Sequence, residues 1–258
     1  MTRFEGRTAL VSGGVGAMGM AIGRRLAQEG AAVVLADTSP ADEAAVATAF
    51  AGLPAPTVMV LDVTLADAWA AVLAAVEDRF GRLDLLVNNA GILSPEPQPF
   101  DEIDLAEWRR VFAVNVDGVL LGTQAALRSM RTRGGGAVVN IASIAGYVGS
   151  KDNCTYGVSK GAVRSMTKQA ALSAARLGYG VRVNAVHPGY VWTPLVEARA
   201  VTQYGSREAA LVAFRGMNPS GRVVEPDDVA AAVAFLGSDD ARMINGADLV
   251  VDGGRLIQ

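Results

Sequence analysis

The run TALVSG at 8–13 ends in glycine, and Gly14, Gly16 and Gly19 follow before a helical pattern from about Ala17 to Glu29. Few folds accommodate that order. A short apolar run of this kind reads as a strand buried on both faces. The glycines let the backbone turn tightly and approach a ligand closely. The helix behind them offers free N–H groups and its positive dipole end to the same place. Strand, glycine turn and helix together form a cradle for a pyrophosphate.

The alternation continues along the chain. AAVVLAD (31–37), TVMVLDV (57–63), LDLLVNNAG (83–91), GGGAVVNIAS (134–143), VRVNAVHPG (181–189) and GADLVVDGG (246–254) read as further strands. Helices are expected at about 41–51, 66–79, 105–131, 153–177 and 225–238. This order predicts an α/β fold: a doubly wound parallel sheet of about seven strands with helices on both faces. No repeat, linker or low-complexity segment interrupts it, so the 258 residues read as a single domain. SPEPQPFDEID (94–104) is a loop with three prolines, with Asp104 placed to cap the next helix. The stretch at about 190–222 is apolar without clean periodicity and follows a strand end. We read it as a substrate lid, with ordinary core helices as the competing reading.

Composition narrows the partners. A formal net charge of −3 gives no general attraction to nucleic acid or to an anionic membrane. No apolar run reaches the length of a membrane span, and the N-terminus enters a strand directly, with no signal peptide. A single cysteine, Cys154, precludes an internal disulfide and fits a reducing, cytoplasmic setting. It reads as a buried, inert thiol; nearby Lys151 is the residue that would activate it. The single histidine, His187, removes any histidine-cluster metal site and reads as structural, so no metal ligand is expected.

Several residues carry chemistry. Asp37 ends the second strand, where an acid accepts hydrogen bonds from ribose hydroxyls and repels a 2′-phosphate, favouring NAD over NADP. Asn88, Asn89, Ala90 and Gly91 end the fourth strand with small and amide side chains, against which a flat ring can lie. Asn115 is a polar amide inside an apolar helical stripe and needs a partner. Ser143 is followed by twelve residues, then Tyr156, three residues and Lys160. The last two stand at i and i+4, on one helix face. An ammonium beside a phenol favours the phenolate, which is expected to bring the Tyr156 pKa down toward the range of a general acid/base.

In this order and spacing the motifs resemble the short-chain dehydrogenase/reductase family over almost the whole chain. The matching pieces are the glycine turn Ser12–Gly19, Asp62, Asn88 to Gly91, Asn115, Ser143, Tyr156 with Lys160, Pro188-Gly189 and Thr193. The resemblance implies Tyr156 as acid/base and Lys160 as the group that tunes it and binds the nicotinamide ribose. It implies Ser143 at the carbonyl oxygen and Asn115 on a water of the proton relay. It also implies a cofactor path along Ser12, Gly13, Gly16, Ala17, Met18 and Gly19, then Asp37, Asp62 and Val63. The path continues by Asn89, Ala90 and Gly91 to Pro188, Gly189, Val191 and Thr193. The family usually has Gly where Ala17 stands, and Thr where Ser12 stands.

Within the family, residues 161–172, 181–197 and 251–258 look like bacterial secondary-alcohol and hydroxysteroid dehydrogenases. The implied reaction interconverts a secondary alcohol and a ketone with NAD(H). Leu93, Ile144, Tyr147, Tyr190, Trp192 and Leu195 are candidate walls for a bulky apolar or alicyclic substrate. The implied assembly is a homotetramer, or a homodimer. The terminal Gln258 matches an ending that lies near a magnesium ion in R-specific relatives. Two alternatives stand beside this reading. One is a 3-oxoacyl-carrier-protein reductase, needing a basic docking face from Arg128, Arg131, Arg133, Arg164 and Lys168. The other is a catalytically silent dinucleotide-binding sensor or scaffold.

Overall fold

The computed structural model describes residues 2–39, 41–94, 98–149 and 153–258. Pro40, Pro95, Pro97 and Lys151, which entered the sequence reading, lie outside the described residues. Seven strands alternate with helices. They are β1 Thr8–Ser12, β2 Ala32–Asp37, β3 Thr57–Val60, β4 Leu85–Asn88, β5 Gly136–Ile141, β6 Val181–Pro188 and β7 Asp248–Val251. The helices are α1 Ala17–Gln28, α2 Glu43–Ala49, α3 Ala66–Phe80, α4 Leu105–Phe112, α5 Gly118–Met130, α6 Cys154–Arg176, α7 Pro194–Tyr204, α8 Arg207–Gly216 and α9 Pro226–Gly237.

All seven strands pair in parallel, in the order β3-β2-β1-β4-β5-β6-β7. The order reverses between β1 and β4, where such sheets bind ligands at the carboxyl ends of their strands. Side chains alternate across the sheet, as the pleat requires. Ala9, Val11, Val33, Leu35, Leu85 and Val87 join a core with Ile22 and Leu26 of α1 and Val229 and Val233 of α9. Leu10, Val34, Leu86 and Val138 join the opposite core with Trp69, Val72, Ala126, Met130, Ala171 and Ala174 of α3, α5 and α6.

The helix expected at 105–131 is helical throughout to Met130, but its winding changes part-way. Asp104 caps α4 as expected, accepting from the N–H groups of Ala106 and Glu107. After Phe112 a π-helical turn, Ala113–Asp117, intervenes before α5. Asn115 occupies that turn, and its side chain is bonded elsewhere in the molecule, as described below. Several strands are shorter than their apolar runs because the flanking residues form turns. The third ends at Val60 rather than 63, the fourth spans Leu85–Asn88, and the last spans Asp248–Val251.

The stretch at 190–222 forms α7 and α8 with a small core of their own, built on Trp192, Ala200 and Ala210 with Tyr204 and Phe214. Its weak periodicity has a simple cause: the two short helices bury their apolar sides mainly against each other rather than against the sheet.

Trp69 anchors the second core. It is 1% exposed, its indole N–H donates to the Val63 carbonyl at 3.0 Å, and its ring fits against the bare backbone of Gly122. Trp69→Ala is expected to cost about 3–5 kcal/mol in urea unfolding. Val60→Ala, on a side chain 75% exposed, is expected to stay within about 0.5 kcal/mol.

Candidate active site

The glycine turn is built by close approach. A Cβ on Gly19 would lie 2.3 Å from the Gly13 carbonyl oxygen, and Gly13 has φ +62°. Asn89 pins the turn from β4: its amide donates to the carbonyls of Ser12 and Gly13 at 3.0 and 2.9 Å. Ser12 is 1% exposed, and its hydroxyl accepts from the N–H groups of Asn89 and Ala90 at 3.1 and 3.2 Å. Ser12 therefore faces the junction of β1 with β4, holding the turn from behind.

The cradle fits an anionic dinucleotide. The helix α1 begins at Gly16 with no side chain capping its free N–H groups and no acid in its first turn. Gly16 itself is open, with the Gly13 oxygen 3.5 Å from where a Cβ would stand. Ala17 is exposed and lines a cleft of about 500 Å³ with Met20, Arg24, Glu225 and Asp227, between α1 and α9. Asp37 lies across the turn, its carboxylate accepting from the Val15 N–H at 3.3 Å and the Ser39 N–H at 3.4 Å. Asp62 closes on its own turn, accepting from the N–H and hydroxyl of Thr64 at 2.9 and 2.7 Å. Val63 is buried against Gly118, and the Oδ1 of Asn89 is a buried acceptor with no protein partner. Met18 is half-buried in the first turn of α1.

The catalytic candidates stand beside this cradle, at the ends of β4 and β5. Asn115 is fully buried. Its Oδ1 accepts from the Ile92 N–H at 2.8 Å, and its Nδ2 donates to the Ile92 carbonyl at 2.9 Å and the Ser159 hydroxyl at 3.0 Å. Lys160 is 3% exposed and donates from Nζ to the Ile141 carbonyl at 2.8 Å. Gly91 lies over both: a Cβ there would be 3.3 Å from the Lys160 Nζ and 3.4 Å from the Asn115 Oδ1. Asn153 caps α6 by accepting from the Tyr156 N–H, which fixes the start of the helix carrying Tyr156 and Lys160. Ser143 caps a short 3₁₀ turn, its hydroxyl accepting from the Ala145 N–H at 3.1 Å, and lies beside the Tyr156 phenol.

The electrostatics differ from the expectation. Burial pushes the Tyr156 pKa up, and the Ser143 hydrogen bond opposes this only in part. Burial also brings Lys160 down from 10.5 to about 8. The Nζ stands 5.5 Å from the Tyr156 ring centroid and is turned to a backbone carbonyl, and it is not among the groups that lower the phenol.

Pro188 and Gly189 end β6, with Gly189 packed on Asp252. Val191 is buried and bridges Val224. Thr193 caps α7, its hydroxyl accepting from the Val196 N–H at 3.3 Å. Of the expected pocket walls, Leu93 and Tyr147 are half-buried, Ile144 is buried, and Tyr190 and Leu195 are exposed. Trp192 is not a wall: it is 7% exposed inside the α7–α8 core, 5.2 Å from Phe214, and its N–H donates to Glu197. Cys154 is half-buried rather than buried.

A family model described as enoyl-(acyl carrier protein) reductase matches residues 14–255. The chain belongs to the short-chain dehydrogenase/reductase family. It is 42% identical to cis-4-hydroxycyclohexanecarboxylate dehydrogenase of Sinomonas cyclohexanicum, over 97% of each chain. It is 36% identical to an NADP-dependent (R)-specific alcohol dehydrogenase of Lentilactobacillus kefiri, over 99% of each. Among solved structures it superimposes on levodione reductase with a TM-score of 0.89 at 37% identity, covering 98% of this chain and 99% of that one.

This short-chain dehydrogenase/reductase also carries polar supports that the sequence reading missed. The parallel register sets Asn88 opposite Asn140. Asn88 donates to Asn140 at 2.9 Å, and Asn140 donates to Thr167 of α6 at 2.9 Å, a buried chain from β4 to the catalytic helix. His187, fully buried, has Nδ1 3.1 Å from the Ser143 carbonyl and Nε2 3.1 Å from Asp248. Both partners are acceptors, so a neutral ring satisfies one and an imidazolium both. Burial lowers the His187 pKa, while the Ser143 carbonyl and Asp248 oppose it. Burial pushes Asp248 up, but hydrogen bonds from Lys168 and Arg164, with help from His187 and Tyr147, bring it to about 2. The signal for both supports was a polar residue inside an apolar strand, which demands a partner.

Lys160 gives a pH test. Between about pH 8 and 10.5 the folded chain has lost a proton that the unfolded chain still holds, so stability rises with pH across that window. Lys160→Met removes the group. The unfolding free energy of the wild type relative to this variant is expected to increase from pH 7.5 to pH 9.5 in paired urea titrations.

Proposed function

We propose that this enzyme is an NAD(H)-dependent oxidoreductase interconverting a secondary alcohol and a ketone. The observation that carries the reading is the convergence of Asn115, Ser143, Tyr156 and Lys160 beside a glycine cradle with an acid at its rim. NAD⁺, when bound, supplies the acceptor for the hydride that leaves the carbinol carbon. In oxidation Tyr156 first passes its own proton to solvent along the Lys160–Asn115 side of the site and then, as the phenolate, takes the hydroxyl proton, while the Ser143 hydroxyl hydrogen-bonds the oxygen as charge develops on it. Lys160 and Asn115, linked through Gly91 and Ser159, hold the polar floor beneath the phenol and a route for the proton. In the reverse direction Tyr156 gives its proton to the ketone oxygen; its raised pKa suits it to hold that proton at neutral pH.

Asp37 supports NAD over NADP, because a 2′-phosphate would meet a carboxylate at the end of β2. Exposed Leu195 and Tyr190 with buried Ile144 support a bulky apolar or alicyclic substrate, in keeping with a relative named for a hydroxycyclohexanecarboxylate. The α7–α8 unit serves as the lid. A cytoplasmic homotetramer fits the family, and no described helix is long and apolar enough to cross a membrane. The acyl-carrier alternative has less support in its basic face. Arg164 and Lys168 are committed to Asp248, and the Arg131 guanidinium lies 5.5 Å from the Tyr179 ring.

Tyr156→Phe is expected to lower kcat/KM for a cyclic ketone by about 10²- to 10⁴-fold while NADH still binds by fluorescence titration. Activity retained in that variant would place the proton donor elsewhere. NADH is expected over NADPH by at least about 10-fold in kcat/KM, and Asp37→Ser is expected to narrow that gap. A native preference for NADPH would show that Asp37 does not set the choice.

A further inference from the structure

Arg255 is the first residue of a short 3₁₀ turn, Arg255–Ile257, that follows β7. Gly253 and Gly254, at φ +64° and +88°, make the bend, and Asp252 fastens it by accepting from the N–H groups of Gly254 and Leu256 at 2.8 and 2.7 Å. The backbone of Arg255 is thereby fixed, and the nearest acid in sequence is occupied by main-chain donors. The guanidinium lies over the ring of Tyr190, 4.7 Å from its centroid. Its single hydrogen bond is a long one, 3.5 Å to the Met217 carbonyl.

Several other half-buried arginines are paired. Arg3 pairs with Glu29 and Asp240, Arg164 with Asp248, and Arg182 donates to the carbonyls of Leu236 and Ser238. No carboxylate among the described residues pairs with Arg255. Four of its five N–H donors are left for something else.

Tyr190 locates that something. It follows Gly189 at the carboxyl end of β6, next to the strand that delivers Ser143. Its ring is 42% exposed and packs edge-on against Phe214 at 5.8 Å. Arg255 follows the carboxyl end of β7 and Tyr190 that of β6, so the pair stands on the same edge of the sheet to which β5 delivers Ser143.

We propose that Arg255, stacked on Tyr190, forms a carboxylate subsite, and that the preferred substrate is a secondary alcohol that also bears a carboxylate. The inference rests on the alcohol/ketone reading above. A planar guanidinium with parallel free donors matches a carboxylate in bidentate fashion, and stacking pre-orients the fork. A phosphate is less suited: neither a second cation nor a helix N-terminus adjoins Arg255.

The test compares trans- or cis-4-hydroxycyclohexanecarboxylate with cyclohexanol, using NAD⁺, in the wild type, Arg255→Gln and Arg255→Lys. The wild type is expected to favour the carboxylate by about 10- to 100-fold in kcat/KM. Arg255→Gln is expected to erase most of that ratio through KM, with kcat for the acid little moved, and Arg255→Lys to restore part of it. Cyclohexanecarboxylate, which lacks the reacting hydroxyl, is expected to inhibit the wild type competitively and the Gln variant more weakly by a similar factor. Turnover of cyclohexanol with no preference for the acid, or a ratio unchanged in Arg255→Gln, overturns the subsite and leaves the alcohol reading intact. Turnover of neither alcohol, in protein that binds NADH, overturns the alcohol reading and this inference with it.

Discussion

The amide of Asn115 ties together three segments that are distant from one another in the sequence. It grips both backbone groups of Ile92, in the loop after β4, and the hydroxyl of Ser159 on α6. The helix that carries it yields a π turn at that place, so helical regularity is given up for the contact. Without this clamp the Ile92 backbone would be left with an unmet donor and acceptor in a buried site, at about 1–3 kcal/mol each. Gly91 and the face of α6 that carries Tyr156 and Lys160 are therefore positioned by the same side chain.

Burial then sets the energetics of the pair on α6. Sequence spacing places Tyr156 and Lys160 one turn apart, and two charges so placed would stabilise each other. Both groups, however, are taken out of water, and the cost of desolvation falls on the charged form of each. The result is a phenol that keeps its proton and an ammonium held weakly, steadied by the Ile141 carbonyl. Small changes in local charge then move either group, which is what a site handling one proton at a time requires.

The strand–helix alternation, the parallel sheet and the switch between β1 and β4 were legible because apolar runs, glycines and caps act locally. Asp104 as a cap and the glycine turn are cases in point. The motif residues were legible through spacing along one helix. What the sequence hid depended on contacts between distant segments. The π turn in the 105–131 helix coincides with the contacts of Asn115 to Ile92 and Ser159, which are remote in sequence. The direction of the Tyr156 shift comes from burial, which no spacing reports. Trp192 reads as a pocket wall until Phe214, more than twenty residues away, is seen to cover it.

The same division explains how such a site accommodates different substrates. The chemical groups stand on the sheet and α6, braced by the buried Asn88–Asn140–Thr167 chain and by His187 behind Ser143. Most expected walls stand on the segments after β4, β5 and β6, and Leu195 stands on α7, which with α8 has a separate small core. Trp192 joins them to the main body through its N–H bond to the Val224 carbonyl at 2.8 Å. A change in that outer shell, such as an arginine in the turn after β7, alters which molecule is held without disturbing the proton path. The chemistry is fixed by groups that have no freedom to move, and selectivity is left to side chains on the segments around them.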